Sequence, residues 1–121
     1  MKVQPPSVMI VDDDPATLTA LTRGLAGVFA VMGASGGREA LDRFDKQKSD
    51  LVITDIKMPE MDGIALLGEL RTSAPDLPVV AISGFVDAET MNKHPFSEVV
   101  EKPVSLADLR QLVNGLLEKR Q

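Results

Sequence analysis

The chain has 121 residues, 44% of them hydrophobic and 26% charged, as is typical of one folded domain. Its net charge of −5 argues against a nucleic-acid backbone or an anionic membrane as the main partner. The absence of cysteine excludes disulfides and zinc–thiolate sites, and no apolar run approaches the roughly 20 residues that span a bilayer. We therefore expect a cytoplasmic protein with a flexible N-terminus at residues 1–6 and one domain at residues 7–121.

Short apolar segments alternate with amphipathic segments along the chain. The apolar runs predict five strands, at residues 7–11, 28–33, 50–54, 79–82 and 99–100. The amphipathic segments predict helices that follow Asp14, Gly37, Gly63 and Ser105, and a short helix over residues 86–92. This alternation implies an α/β fold with a doubly wound, five-stranded parallel sheet and helices on both faces. We expect the flavodoxin-like strand order 2-1-3-4-5.

Carboxylates end the two strands that should lie side by side at the centre of this sheet. The first strand runs into Asp12-Asp13-Asp14, and the third ends in Asp55. In such a sheet, ligands bind at the carboxyl ends of the strands, at the switch point between strands 1 and 3. Since like charges only a few ångströms apart repel, such a cluster indicates a divalent cation, and carboxylate oxygens are ligands that Mg²⁺ prefers.

Two further polar residues fall at the same predicted edge. Ser83 ends the fourth strand and Lys102 ends the fifth. A carboxylate beside a metal ion can act as a nucleophile towards phosphorus, and a cation and a hydroxyl would stabilise the charge on phosphoryl oxygens. Taken alone, Asp14 is an ordinary helix N-cap and Lys102 a solvated lysine. Their shared position at one edge favours a phosphoryl-transfer site.

Four segments of the sequence, in order, resemble those of a two-component response-regulator receiver domain. They are residues 8–15, 51–63, 81–84 and 101–103, and the stretch from Asp55 to Gly63 is the most specific. The resemblance implies a phosphoacceptor switch in which Asp55 takes a phosphoryl group from a histidine kinase or a histidine phosphotransfer protein. Such a switch changes the binding of a downstream protein and binds neither nucleic acid nor membrane directly. It is no enzyme in the usual sense, because it acts only on its own aspartate.

The resemblance also implies a role for each site residue. Asp13 and Asp55 would bind Mg²⁺, or Mn²⁺ in its place, together with the backbone carbonyl of Lys57. Asp12 would hold a metal-bound water. Ser83 would hydrogen-bond the phosphoryl group, and Lys102 would pair with another of its oxygens. The peptide bond that follows this lysine would be cis.

The chain departs from the family pattern near its fifth strand. Receivers usually carry an aromatic residue three positions before the site lysine, where this chain has Val99. The segment between Ser83 and Lys102 is also short for the family, so we expect a shortened helix between the fourth and fifth strands. We hypothesise a divergent output surface that retains phosphorylation.

Two other functions remain open at this point. In a haloacid-dehalogenase-type phosphatase, Asp12 would be the nucleophile and turnover would be rapid, although the chain is short for such an enzyme. A receiver-like module that is never phosphorylated is the other alternative. The sequence also leaves open whether the receiver is a stand-alone protein or a domain of a longer one.

Overall fold

The computed structural model describes residues 4–84 and 93–120, which contain five strands and four helices. The strands are β1 (Ser7–Val11), β2 (Ala30–Ala34), β3 (Leu51–Asp55), β4 (Val79–Ser83) and β5 (Glu98–Glu101). The helices are α1 (Pro15–Leu25), α2 (Gly37–Lys46), α3 (Gly63–Ser73) and α4 (Leu106–Arg120). The short helix expected over residues 86–92, and with it the shortened connection between β4 and β5, lies outside the described residues.

The five strands form one parallel sheet with the order β2-β1-β3-β4-β5, which confirms the predicted fold. The central pair is in register, with Val11 opposite Thr54. Asp12 directly follows Val11 and Asp55 directly follows Thr54, so both reach the carboxyl edge of the sheet at the same level. The sheet topology therefore brings together residues that are far apart in sequence.

Helices cover both faces of the sheet, because alternate residues of each strand point to opposite sides. Val8 and Ile10 belong to a core cluster with the apolar residues of α1 and α4. Met9 and Val11 belong to a second cluster, with those of α2 and α3. This explains why β1 and β3 are continuously apolar in sequence. None of the helices in the described ranges is both long enough and apolar enough to cross a bilayer.

The predicted start of the second strand at residue 28 is wrong by two residues. The N–H groups of Val28 and Phe29 donate to the carbonyl of Leu25 at 3.1 and 3.0 Å, so both residues belong to the turn that ends α1. Val28 is 44% exposed, whereas Phe29 is buried. The β-branched and aromatic side chains favour a strand, but the helix end satisfies its free carbonyl with these two donors.

Side-chain caps fix the starts of the helices that flank the carboxyl edge. The Asp14 carboxylate accepts from the N–H of Thr17 at 3.3 Å, and Pro15 occupies the first helical position. The Ser105 hydroxyl accepts from the N–H of Asp108 at 3.3 Å, as the sequence predicts for α4. These caps determine where the loops of the edge end and the helices begin.

Ser49, between α2 and β3, offers a test of how a buried hydroxyl affects stability. Ser49 is 4% exposed. Among the buried side-chain oxygens and nitrogens of the described ranges, its Oγ is the one that lacks a hydrogen-bond partner. We expect Ser49→Ala to raise the free energy of unfolding by about 1 kcal/mol, because the substitution removes an unsatisfied polar group. Urea denaturation measures this change.

Ser97→Ala is the matched control for that substitution. The Ser97 Oγ accepts from the N–H of Val79 at 3.1 Å, so its removal leaves a partly buried donor without its partner. We expect the free energy of unfolding of this variant to fall by about 1 kcal/mol. A similar loss in the Ser49 variant would contradict the prediction.

Candidate metal centre

Carboxylates from two loops converge at the carboxyl edge of the sheet. Asp12, Asp13 and Asp55 each offer one oxygen, and these three oxygens lie within 4.8 Å of one another. Asp12 is buried at 2% exposure, the side chain of Asp55 is 13% exposed, and Asp13 is exposed. The cluster is therefore open to solvent on one side while two of its charges are largely desolvated.

Lys102 lies between the two least exposed carboxylates. Its Nζ is 3.4 Å from Oδ2 of Asp12 and 3.3 Å from Oδ2 of Asp55. The N–H of Lys102 also donates to the carbonyl of Ser83 at 2.7 Å, which fixes the end of β5 against that of β4. The bond between Lys102 and Pro103 is cis, as the family resemblance implies. One ammonium group thus partly balances the negative charge of three carboxylates.

The other two predicted site residues lie nearby in the fold. Ser83 is the last residue of β4 and is buried at 3% exposure. β4 is the strand next to β3, with Ile82 opposite Asp55, so Ser83 reaches the same edge one strand away. Lys57 is exposed in the loop that follows Asp55. The position of both agrees with the predicted roles, which remain predictions.

Local hydrogen bonds hold the carboxylates in place. Oδ1 of Asp55 accepts from the N–H of Ile56 at 2.8 Å, which leaves Oδ2 towards Lys102. Oδ1 of Asp12 accepts from the N–H of Asp14 at 2.9 Å. The Thr54 hydroxyl donates to the carbonyl of Asp55 at 2.8 Å. The carboxylates of Asp12 and Asp55 are therefore oriented before any ligand arrives. Sequence reasoning had assigned no role to Thr54.

Gly63 sits against the backbone of the loop that follows β3, a contact that sequence reasoning did not predict. Its N–H donates to the carbonyl of Ile56 at 2.7 Å. A Cβ at this position would collide with the carbonyl oxygen of Asp55 and approach Cα of Ile56 to 2.9 Å. The one sequence signal was the glycine that closes the 55–63 motif. Glycine is required here for close approach rather than for an unusual φ angle.

We expect Gly63→Ala to lower the free energy of unfolding by about 2 kcal/mol, because the loop or the start of α3 must shift. Chemical denaturation measures the loss. Gly68→Ala on the same helix is the control, since nothing lies within 4 Å of its added Cβ. The free energy of unfolding of that variant should rise by about 0.5–1 kcal/mol, because alanine has a higher helix propensity than glycine. Equal effects of the two substitutions would contradict the close-approach explanation.

Burial and charge shift the protonation equilibria of two site residues in the same direction. Burial raises the pKa of Asp12, and the charge of Asp55 adds to this, while the N–H of Asp14 and Lys102 act against it. For Lys102, desolvation alone would lower the pKa, but the charges of Asp55 and Asp12 outweigh it and raise the pKa. The ionised form of Asp12 is therefore disfavoured in the folded protein, whereas that of Lys102 is favoured.

The raised pKa of Asp12 predicts that Asp12→Asn makes the metal-free protein more stable at neutral pH. The folded state holds the Asp12 proton more tightly than the unfolded state does. Ionisation therefore costs stability above the raised pKa, and the cost disappears as the pH falls below the ordinary value of 3.8. Thermal unfolding with EDTA at pH 7 and pH 3 measures the gain, which should be absent at the lower pH. A loss of stability at pH 7 would contradict the prediction.

The donor set at this edge fits a hard divalent cation. All the ligands on offer are oxygens, and their separation allows one ion to contact them together. Three carboxylates with one ammonium group leave a net negative charge that a divalent ion would neutralise. Mg²⁺, which binds through one or two carboxylates and keeps several waters, suits a cluster that is half open to solvent.

Family-model, sequence and structure comparisons with known proteins all point to the same family. The family model of the response regulator receiver domain matches residues 8–114. The transcriptional regulatory protein GlrR of Escherichia coli K12 is 32% identical over 123 residues, and the match covers 98% of this chain. The transcriptional regulatory protein PrrA of Mycobacterium tuberculosis is 35% identical over 122 residues, again covering 98% of this chain.

A solved CheY-like receiver domain from Methanospirillum hungatei superposes with a TM-score of 0.89 at 25% identity, covering 97% of both chains. The curated relatives are much longer than this chain. The match spans 28% of GlrR and 52% of PrrA.

Proposed function

Because the chain belongs to the response-regulator receiver domain family, we propose that it is a phosphorylation switch with Asp55 as the phosphoacceptor. The observation that supports this most is the convergence of three carboxylates and one ammonium group at the carboxyl edge of the sheet. Asp55 is the member of this cluster that is both oriented by a backbone N–H and partly exposed. It is therefore the carboxylate best placed to react.

The proposed reaction transfers a phosphoryl group from a phosphohistidine nitrogen to a carboxylate oxygen of Asp55. A bond between oxygen and phosphorus forms, the bond between nitrogen and phosphorus breaks, and the histidine leaves with the electron pair. Lys102 would turn from Asp55 to an oxygen of the phosphoryl group, and the Ser83 hydroxyl would donate to another. Asp12 and Asp13 would hold Mg²⁺ together with Asp55 and the carbonyl of Lys57.

When bound, Mg²⁺ supplies positive charge beside the phosphoryl oxygens, which is the main requirement of this reaction. The chain supplies the rest by orienting the nucleophile and placing an ammonium group next to it. Water attack on the acyl phosphate would later return Asp55 to its free state. The partners are a histidine kinase or histidine phosphotransfer protein as donor and a downstream protein as target.

The new charge on Asp55 would bias an equilibrium between two conformations of the chain. Ser83 and Lys102 lie at the ends of β4 and β5, so bonds from them to a phosphoryl group would pull on both strands. A partner that binds one conformation better then reads the signal. With Val99 in place of the usual aromatic residue, we propose that the output surface of this chain differs from that of typical receivers.

The experiment that tests the proposal is incubation of the protein with Mg²⁺ and acetyl phosphate, followed by mass spectrometry of the intact chain. We expect one phosphoryl group per chain, with a lifetime long enough to isolate the product. Continuous release of phosphate with no labelled protein would instead support a phosphatase with Asp12 as nucleophile. No labelling and no release would support a module that is not phosphorylated.

A further inference from the structure

The outer edge of β2 has no strand paired to it within the described ranges. β2 lies at one end of the strand order and pairs only with β1. The N–H of Ala30 donates to the carbonyl of Pro6 at 2.9 Å, so this residue faces inwards. Because backbone groups alternate in direction along a strand, Val31 and Gly33 direct their N–H and C=O groups outwards.

This edge lacks the features with which proteins usually prevent strand pairing. Residues 30–34 include no charged residue and no proline, and their register with β1 is free of bulges. Gly33, near the middle of the edge, is not required by the fold. An added Cβ would make ordinary 3.4 Å contacts with Leu18 and Thr22, and the φ angle is not positive. Glycine inside a strand often marks a place where another backbone approaches closely.

A groove of about 610 Å³ runs along this edge between α1 and α2. Leu18 and Thr22 of α1 and Ala26, which directly follows α1, line one side, and Val31 and Gly33 are also part of the lining. Since Gly33 has no side chain, the two α1 residues that its Cβ would contact remain open to a side chain from outside. The groove therefore combines free backbone groups with an apolar subsite.

The charges around the groove are mainly positive. Arg23 of α1 and Arg43 of α2 line it, together with one acid, Glu39. The Glu39 carboxylate is already engaged, since it accepts from the N–H of Ser35 at 2.6 Å and lies 3.5 Å from Arg43. Arg23 has no ion-pair partner in the part of the chain that the structure describes. The groove therefore favours an occupant that carries negative charge.

We propose that the edge of β2 is a docking site for an extended acidic segment of a partner protein, which adds to the sheet as a sixth strand. Backbone hydrogen bonds to Val31 and Gly33 would supply most of the affinity, as in other cases of strand addition. One apolar side chain would rest against Leu18 and Thr22. An acidic residue would pair with Arg23. A second copy of this chain fits less well, because its β2 carries no charge and each copy has a net charge of −5.

The test uses a blocked hexapeptide of alternating threonine and valine with a glutamate at each end, titrated into isotope-labelled protein and followed by NMR. We expect saturable shifts at the amides of residues 31–35, and slower hydrogen exchange at Val31 and Gly33. Gly33→Pro removes the outward N–H without removing a bond to β1, and should weaken binding by about tenfold. A peptide with lysine at both ends should bind about fivefold more weakly.

Gly33→Ala is the matched control, because it keeps the N–H and fits the space beside α1. Its methyl group takes part of the space beside Leu18 and Thr22, so it should weaken binding by about twofold, clearly less than the proline variant does. Both variants should be phosphorylated normally by acetyl phosphate. The proposal would be overturned if the proline variant bound the peptide as tightly as the wild type does. It would also be overturned if the peptide changed the chemical shifts of amides elsewhere on the protein. So would the absence of binding by a folded wild type. Dimerisation that Gly33→Pro abolishes would assign the edge to a second copy instead.

Discussion

Asp55→Asn is expected to abolish incorporation of a phosphoryl group from acetyl phosphate while leaving the fold intact. An amide cannot form the acyl phosphate that a carboxylate forms. Asparagine has nearly the same size, and its oxygen can still accept the 2.8 Å hydrogen bond from the N–H of Ile56. Loss of labelling would therefore report on chemistry rather than unfolding. Intact-mass spectrometry measures the labelled fraction, and thermal unfolding checks the fold.

Two further substitutions make this result specific. Asp42→Asn changes an exposed acid on α2, away from the edge, and should be labelled like the wild type. Asp12→Asn should slow labelling, because it removes a carboxylate of the metal cluster, but the product should still form on Asp55. If Asp12→Asn stopped all hydrolysis of acetyl phosphate while Asp55→Asn did not, Asp12 would be the nucleophile and the switch proposal would be wrong.

Lys102→Met is expected to lower the rate of Asp55 phosphorylation by about 10²-fold. The ammonium group is 3.3 Å from Oδ2 of Asp55, which puts it where negative charge increases on the transferred group. Methionine keeps a flexible apolar stem of similar length, so packing near the end of β5 should be preserved. The initial rate of labelling at saturating Mg²⁺ measures the effect.

Lys57→Met is the control for that substitution, since it removes an exposed lysine from the same edge but keeps the backbone carbonyl that we propose as a metal ligand. Its rate should change by less than about twofold. Lys102→Arg should recover part of the rate, because a guanidinium group keeps the charge but not the shape of an ammonium group. Wild-type rates in the Lys102→Met variant would remove this residue from the proposed mechanism.

The fold could be predicted from the sequence because each strand of the sheet corresponds to a short apolar run. β1 and β3 are apolar at successive positions, which occurs when helices cover both faces, and the predicted strand order followed from the alternation of strands and helices. The convergence of Asp12, Asp13 and Asp55 followed from the same topology. Lys102 and Ser83 could be placed at this edge because each ends a strand.

Other features depended on contacts that no local pattern expresses. Val28 favours a strand by composition, yet its N–H bonds to the carbonyl of Leu25 at the end of α1. Gly63 belongs to a motif, but only the fold shows that a Cβ there would meet the backbone of Asp55. The same holds for the hydrogen bond from Thr54 to the Asp55 carbonyl. Predictions that fall on residues 85–92 lie outside the described residues.

Paramagnetic NMR with Mn²⁺, which can replace Mg²⁺ at oxygen ligands, tests most directly whether the three carboxylates form one metal pocket. During a titration of labelled protein, we predict that the amide signals of residues 12–14 and 55–57 broaden together, at the same Mn²⁺ concentration. In Asp13→Asn, both sets should broaden only at higher concentrations. Broadening of one loop alone, or of the two loops at clearly different concentrations, would show that the acids do not share an ion and would contradict the proposed site.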